Sequence, residues 1–189
     1  MLKRGGKKRF MEFVKSVKQN PFRYYYIKST LTKMKAEEID VNTQDYNGRT
    51  LLHLALKLNN LRLFNLFLKA GVNPDLADVN AETPLHRAVL DGKLNFVKSL
   101  IGSGCDVNIA GEQEQTPLHL AVVSGNLEII KLLVDNGADL LLADESNNLP
   151  IDYAIDEGDE KVIRFLLTKQ EVDEERMNRI KEIFVRKGE

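Results

Sequence analysis

The hexapeptide TPLHLA at residues 116–121 has a close copy, TPLHRA, at residues 83–88, and a second, TLLHLA, at residues 50–55. A weaker copy, LPIDYA, follows at residues 149–154, so successive copies are 33 residues apart. Glycine recurs with the same period at Gly71, Gly104 and Gly137, and again at Gly92, Gly125 and Gly158. A fixed period of this length is typical of small structural units that stack in a row and bury their apolar faces against one another.

Each unit is predicted to form a pair of helices. The threonine that opens each strong copy is a good N-cap, and proline after it suits the first helical turn, where its missing N–H costs nothing. The glycine series at 71, 104 and 137 suits the left-handed residue that ends a helix. The sequence therefore predicts first helices at 51–58, 84–91, 117–124 and 150–157, second helices at 61–69, 94–102, 127–135 and 160–169, and projecting hairpin turns between units.

These motifs resemble those of the ankyrin-repeat family: T-P-L-H-x-A, then G-x-L with apolar residues at helical spacing, then G-x-D-V-N. The resemblance implies an all-α repeat fold, a solenoid of stacked helix-turn-helix units with hairpin loops and polar helical caps at both ends. The predicted division is a basic N-terminal arm and degenerate capping repeat at 1–44, repeats at 45–77, 78–110, 111–143 and 144–176, and a capping helix at 177–189. The unit at 144–176 is divergent, since Leu149, Asp152 and Gln170 replace the usual threonine, histidine and glycine.

Apolar stripes predict the caps. Near the N-terminus the stripe is Phe10, Phe13, Val14 and Val17. After Asn20-Pro21 a second helix is expected to bury Tyr26 or Ile27 together with Leu31 and Met34. At the other end the stripe is Met177, Ile180 and Phe184. Apolar residues at i, i+3, i+4 and i+7 form one face of an amphipathic helix.

Composition excludes several classes of protein. The 189 residues carry 27 Lys and Arg against 28 Asp and Glu, which argues against a general nucleic-acid coat protein. No apolar run approaches the roughly 20 residues of a membrane span, and the basic start has no apolar signal region. The single cysteine, Cys105, cannot form an internal disulfide and fits a reducing compartment. We expect a soluble, cytoplasmic domain; a nuclear location, or delivery to a host cytoplasm, stays open.

Charge is unevenly distributed along the chain. Residues 1–35 contain eleven Lys and Arg and one acid, whereas residues 135–160 contain nine Asp and Glu and no Lys or Arg. In an elongated molecule this predicts a basic end and an acidic end, which could steer partners or favour head-to-tail contact. The basic arm at Lys3–Arg9 has three interpretations: a nuclear-import signal, a patch that binds the phosphates of nucleic acid or anionic lipid, or a solvated tail.

No residue pattern predicts catalysis, a metal site or a cofactor. His53, His86 and His119 recur at equivalent positions in stacked units, about 8–10 Å apart, whereas Zn–N bonds are about 2 Å. The family resemblance gives these histidines a structural role, in which they tie adjacent hairpins by hydrogen bonds, and Asp152 would lack that bond. Cys105 is expected to be a packed, inert thiol. The sequence therefore predicts a protein that is not an enzyme.

The family resemblance also implies where partners dock, on the concave side formed by hairpin tips and exposed first-helix positions. Register then predicts these partner-binding residues: Tyr46, Asn47, Arg49, Lys57, Leu58, Val79, Asn80, Glu82, Leu90, Asp91, Glu112, Gln113, Gln115, Val123, Ser124, Glu145, Ser146, Asn148, Asp156 and Glu157. The apolar anchors among them are Tyr46, Leu58, Val79 and Leu90. The expected function is non-catalytic binding of another protein by an adaptor, inhibitor or effector. The alternative is a nucleic-acid-associated or nuclear regulator that uses the basic arm.

One modification site is suggested by the same resemblance. Ankyrin proteins similar to this one are substrates of an asparaginyl hydroxylase that favours Asn after an acidic–aliphatic pair, with Leu eight residues upstream. Asp106-Val107-Asn108 with Leu100 fits that pattern. The other interpretation is that Asn108 only bonds the hairpin backbone.

Overall fold

The computed structural model describes residues 6–187, with side chains as far as residue 185. This part of the chain contains eleven α-helices, one short 3₁₀ helix at Glu112–Glu114 and no β-strand. The helices are α1 (Gly6–Gln19), α2 (Tyr24–Ala36), α3 (Leu51–Lys57), α4 (Leu61–Lys69), α5 (Pro84–Leu90), α6 (Leu94–Gly102), α7 (Pro117–Val123), α8 (Leu127–Asp135), α9 (Pro150–Glu157), α10 (Glu160–Leu167) and α11 (Glu174–Lys187). The all-α repeat architecture predicted from the period is confirmed.

The helices form two stacked layers. In one layer α3, α5, α7 and α9 pack side by side, and α11 packs on α9. In the other layer α4, α6 and α8 follow one another. Alanine recurs at one position of each first helix, and Ala55, Ala88, Ala121 and Ala154 are all fully buried. A methyl side chain there lets neighbouring helices approach closely, which holds the units in a continuous row.

Local chemistry explains where the helices begin and end. Thr50, Thr83 and Thr116 lie in extended conformation immediately before α3, α5 and α7, and proline is the first residue of α5, α7 and α9. After the second helices, Gly71, Gly104 and Gly137 adopt φ of +85°, +80° and +89°. The first helices α3, α5 and α7 are one residue shorter than predicted, and α10 ends at Leu167 instead of 169.

The terminal elements differ more from expectation. Of the two candidates in α2, Ile27 is the buried residue and Tyr26 is exposed. The last helix begins at Glu174, three residues before the predicted boundary, because the Asp173 carboxylate accepts the backbone N–H of Arg176 at 2.8 Å and so caps the helix. Its Ile180 is buried, Phe184 is half-buried against the same core, and Met177 is half-buried.

Candidate functional site

Five-residue turns connect the units and project from the stack at 45–49, 78–82, 111–115 and 144–148. Each is closed by a backbone hydrogen bond from its first N–H to its last carbonyl, at 2.8–3.0 Å. In three of them the opening aspartate also accepts two backbone N–H groups inside the turn, as Asp45 does from Asn47 and Arg49, both at 2.9 Å. The exposed side chains at the turn tips take no part in these bonds, so their identity is free to serve binding.

The third turn lacks the aspartate and has a different shape. Gly111 stands where Asp45, Asp78 and Asp144 stand in the other turns. Without that carboxylate the turn tightens into the 3₁₀ helix, with φ of +55° at Gln113 and +58° at Glu114. A Cβ atom added at Gly111 would lie only 2.8 Å from Nε2 of His86, so this turn packs directly on the imidazole.

Three buried histidines hold successive turns in place. In each, Nδ1 accepts the backbone N–H of the capping threonine, at 3.2 Å for His53, 3.2 Å for His86 and 3.1 Å for His119. A nitrogen that accepts from an amide carries no proton, so Nε2 is protonated and donates to a carbonyl of the following turn. Those acceptors are the carbonyls of Glu82, Gln115 and Asn148, at 3.1, 3.2 and 3.1 Å.

Burial lowers the pKa of all three histidines below the usual value, although the carbonyl hydrogen bond acts in the opposite direction. The imidazoles are therefore neutral connectors. Over residues 6–187 no cluster of His, Cys, Asp and Glu is arranged to hold a metal ion.

Asp152 makes contacts of its own at the position of the fourth histidine. Its Oδ2 accepts the Leu149 N–H at 2.8 Å, which supplies the capping role of the histidine. Both carboxylate oxygens also accept from Arg176, at 2.7 Å each, so a bidentate ion pair to α11 replaces the bond to a following turn.

Tyr153 adds a link that was not predicted. Its hydroxyl donates to Asp144 Oδ2 at 2.5 Å and accepts from Gln115 Nε2 at 2.8 Å, so it joins the last two turns. Because the tyrosine occurs only in the divergent unit, the repeat pattern gave no signal for it.

A groove of about 560 Å³ opens where α1 meets the first two clear repeats. The apolar side chains that line it are Phe10, Val14, Leu51, Leu54 and Leu58. Its charged lining consists of Lys18, Asp45, Arg49, Lys57, Asp78, Glu82, Arg87, Asp91 and Lys93. A second recess of about 310 Å³ follows along the stack, lined by Glu82, His86, Leu90, Glu112, Gln113, Gln115 and Leu120.

We use "concave face" for the four turns together with the exposed C-terminal positions of α3, α5, α7 and α9. Most of the predicted binding residues are exposed on it: Tyr46, Asn47, Arg49, Lys57, Val79, Asn80, Leu90, Asp91, Glu112, Gln113, Val123, Ser124, Glu145, Ser146, Asp156 and Glu157. The half-buried ones are Leu58, Glu82, Gln115 and Asn148. The groove brings together Arg49, Lys57, Leu58, Glu82 and Asp91, whereas the residues of the last unit lie outside both cavities.

Phe10, Val14 and Lys18 of α1 also line the groove and were not predicted as site residues. Their apolar stripe indicated a cap, and nothing in the period shows that α1 extends beside the concave face. Of the basic arm, Lys3 and Arg4 lie outside the described residues. Lys7, Lys8 and Arg9 are exposed on α1.

Cys105 and Asn108 lie in the segment between α6 and the third turn. Burial raises the pKa of the half-buried Cys105 thiol to about 12, with the nearby Asp75 and Asp106 carboxylates acting in the same direction. The Asn108 carboxamide accepts the Asp139 N–H at 2.8 Å and donates to the Gly137 carbonyl at 3.0 Å. Its amide therefore serves the interface between two units.

Among residues 6–187, no helix combines the length and the hydrophobicity needed to cross a bilayer. Comparison of the sequence with curated proteins returned no match.

Family comparison gives a match over nearly all of the repeat region. The sequence matches the family described as "Ankyrin repeats (3 copies)" over residues 24–110 and again over residues 89–178. Repeats of this family are in general protein–protein interaction modules and are typically non-catalytic. With its 33-residue units, capped helix pairs and histidine-linked turns, this chain belongs to the ankyrin-repeat family.

Proposed function

We propose that this chain binds a protein partner through its concave face, without catalysis, and acts by blocking or bridging that partner. The observation that carries the proposal is the groove between α1 and the first two clear repeats. It combines apolar side chains with a charged rim, whereas the turn tips beside it expose Tyr46 and Val79 to solvent. Apolar anchors surrounded by polar residues are the usual composition of a protein interface.

The charges of the groove favour a partner segment with an acidic residue beside an apolar one. Asp91 is neutralised within the chain, since Arg87 and Lys93 lie 3.2 and 2.8 Å from its carboxylate. Within the part of the chain that the structure describes, Lys18 and Lys57 have no carboxylate within ion-pair distance. An apolar side chain entering above Leu54 and Leu58 would place a neighbouring carboxylate within reach of these two lysines.

Rigid turns reduce the conformational entropy that is lost on binding. The backbone N–H of Val79 donates to the Asn47 carbonyl at 3.0 Å, and Glu145 donates to Gln113 at 2.9 Å, so adjacent turns are bonded to one another. A surface that is already ordered loses little conformational entropy on association, and more of the contact energy then appears as affinity.

Affinity capture from cytoplasmic and nuclear extracts tests the proposal. The variant Tyr46→Ala/Lys57→Glu/Leu90→Ala changes exposed residues of the concave face. The matched control, Leu141→Ala/Val185→Ala, removes two exposed apolar side chains elsewhere on the chain. We expect discrete proteins retained by the wild type and the control to be lost from the variant, with helical circular dichroism unchanged in all three.

Two results would count against the concave face. Equal retention by the variant and the control would show that binding lies elsewhere. Capture that survives the variant but disappears on nuclease treatment, or on deletion of residues 1–9, would favour the nucleic-acid function instead. A steep decrease with salt would accompany that second result.

A further inference from the structure

The junction between α1 and α2 exposes a cluster of aromatic side chains. Phe22 is 89% exposed, Tyr25 is 85% exposed and Tyr26 is 52% exposed. All three lie within five consecutive residues at the start of α2. Single exposed apolar residues are ordinary on protein surfaces, whereas a contiguous aromatic patch marks a site of interaction.

This aromatic patch, Phe22 with Tyr25 and Tyr26, lies within a strongly basic surface. Residues 13–36 contain six Lys and Arg and no Asp or Glu. The six, all of them exposed, are Lys15, Lys18, Arg23, Lys28, Lys33 and Lys35. Two guanidinium groups lie against rings of the same segment: Arg23 is 5.6 Å from the centre of the Tyr26 ring, and Arg62 is 5.5 Å from that of Tyr24. Positive charge and aromatic surface are therefore presented together.

The patch occupies one end of a row of helix–helix loops. Asn60, between α3 and α4, donates through Nδ2 to the Pro21 carbonyl at 3.2 Å, which fixes the loop that carries Phe22. Further along the row, the end of α9 and the loop that follows it are acidic, with Glu157 and Asp159. A negatively charged surface is therefore attracted at the α1–α2 end and repelled at the other, which sets an orientation.

We propose that the α1–α2 junction docks on an anionic phospholipid bilayer, with Phe22, Tyr25 and Tyr26 at the headgroup level and the surrounding Lys and Arg on the lipid phosphates. Aromatic rings combined with clustered basic residues are the composition that favours the interface of an anionic membrane. Neither cavity described above includes the three aromatic residues. They stand on a loop and the adjoining turn of α2, whereas proteins that bind single-stranded nucleic acid carry their rings in a groove that follows the backbone.

Co-sedimentation of the full chain with vesicles tests this proposal. We expect binding to vesicles of 70% phosphatidylcholine and 30% phosphatidylserine at 0.1 M salt, a large loss at 0.5 M salt, and no binding to phosphatidylcholine alone. Phe22→Ser/Tyr25→Ser should reduce the partition coefficient about tenfold, since two aromatic side chains no longer enter the interface. Arg23→Gln/Lys28→Gln should reduce it by about fivefold for each charge removed.

A matched control separates the patch from exposed apolar surface in general. Leu141→Ser/Val185→Ser removes a leucine and a valine that are each 66% exposed, both distant in sequence from the junction and outside the concave face. Its partition coefficient should equal that of the wild type, and all variants should keep the helical spectrum and the melting temperature of the wild type because every altered side chain is exposed.

Three outcomes would overturn the proposal: equal binding of the aromatic variant and the control, equal binding to neutral vesicles, or no sedimentation with either vesicle. A single-stranded oligonucleotide that binds more tightly than the anionic vesicles, and requires Phe22, would assign the patch to nucleic acid instead. None of these measurements involves the concave face, so the two proposals can fail independently.

Discussion

At the scale of single residues, each buried histidine links three pieces of chain: its own helix, the threonine cap of that helix and the turn of the next unit. The link works only while the imidazole is neutral, because Nδ1 must accept the threonine N–H. Burial lowers the pKa of each imidazole, which keeps it in that state at neutral pH. The same arrangement couples folding to pH.

Stability should decrease as the pH falls from 7.5 to 5.5. The folded-state pKa of His53, His86 and His119 lies below the unfolded value of about 6.5, so the unfolded chain binds protons first as the pH falls. This loss of stability is absent well above pH 6.5. Below that pH, the free energy of unfolding falls by up to about 1.4 kcal/mol per pH unit for each histidine. Thermal melts across this pH range measure the loss of stability.

His119→Gln should melt at a lower temperature than the wild type at pH 7.5, but its melting temperature should depend less on pH. A wild-type melting temperature that rises toward pH 5.5 would contradict the argument.

Ala81 occupies a position in its turn that suits glycine. Its φ is +59°, and the equivalent residue of the preceding turn is Gly48, with φ of +70°. The left-handed conformation costs an L-residue with a Cβ atom about 1–2 kcal/mol. Ala81→Gly should therefore raise the free energy of unfolding, measured by urea denaturation, by about 0.5–1 kcal/mol. This figure allows for the conformational entropy that glycine adds to the unfolded chain.

The reverse change is the control for Ala81→Gly. Gly48→Ala should destabilise the chain, because the new Cβ would also lie 2.9 Å from the Asp78 Cα. If Ala81→Gly lowers the urea midpoint, the positive φ of Ala81 does not destabilise this turn.

At the scale of helices, the sequence predicts the regular elements well because their signals are local. Threonine and proline mark the starts of α5 and α7, and the glycine series marks the ends of α4, α6 and α8, so the positions of these helices are correct to within one residue. The groove could not be predicted in this way. It depends on where α1 packs, and Phe10 and Val14 show only that α1 has an apolar face, not which helices that face meets. The start of α11 likewise depends on the Asp173 cap, which lies before the apolar stripe.

Attachment of α11 depends on the ion pair between Arg176 and Asp152. Asp152 is 4% exposed, and its side chain caps the N-terminus of α9. Loss of the arginine therefore leaves a buried carboxylate whose charge is only partly neutralised. Arg176→Met should destabilise the protein by about 2 kcal/mol, less than the full cost of an orphaned charge because Arg179 lies 3.9 Å from the same carboxylate.

Chemical denaturation of three variants tests the role of this pair. Arg9→Met is the matched control, since its pair with Glu37 is exposed and distant from α11 and should contribute less than about 1 kcal/mol. Arg176→Met/Asp152→Asn should recover part of the loss, because the buried charge is removed with its partner. Equal effects of Arg176→Met and Arg9→Met would mean that α11 is held by its apolar contacts alone.

At the scale of the whole molecule, folding reduces the charge asymmetry that the sequence suggests. The acidic stretch 135–160 contains no Lys or Arg, yet α11 supplies Arg176 and Arg179, which pair with Asp152 and Asp156. Lys169 lies 3.7 Å from Asp135 in the same region. At the N-terminal end Arg9 of α1 pairs with Glu37, while residues 13–36 contain six Lys and Arg and no Asp or Glu. Positive charge is therefore concentrated at this end, and the acids that bring the net formal charge to −1 lie along the rest of the chain.

The two ends should also differ in stability. Units of a solenoid are stabilised by their neighbours, so an end that is weakly coupled unfolds before the centre. The C-terminal end has the buried Asp152–Arg176 pair, and the central units have the histidine links. The N-terminal unit has Asn20 where a histidine would stand in the period, and polar contacts such as Asn60 to the Pro21 carbonyl join it to the next unit. We expect amide hydrogen exchange in α1 and α2 to be at least tenfold faster than in α5–α8, and to lose protection at a lower urea concentration. Mass spectrometry of peptides from both regions measures this difference in exchange.

Arg176→Met, which weakens only the opposite end, should accelerate exchange in α11 and leave α1 and α2 unchanged. Uniform protection that is lost in one step across all peptides would show instead that the chain unfolds as a single cooperative unit, with the N-terminal helices as firmly attached as the rest.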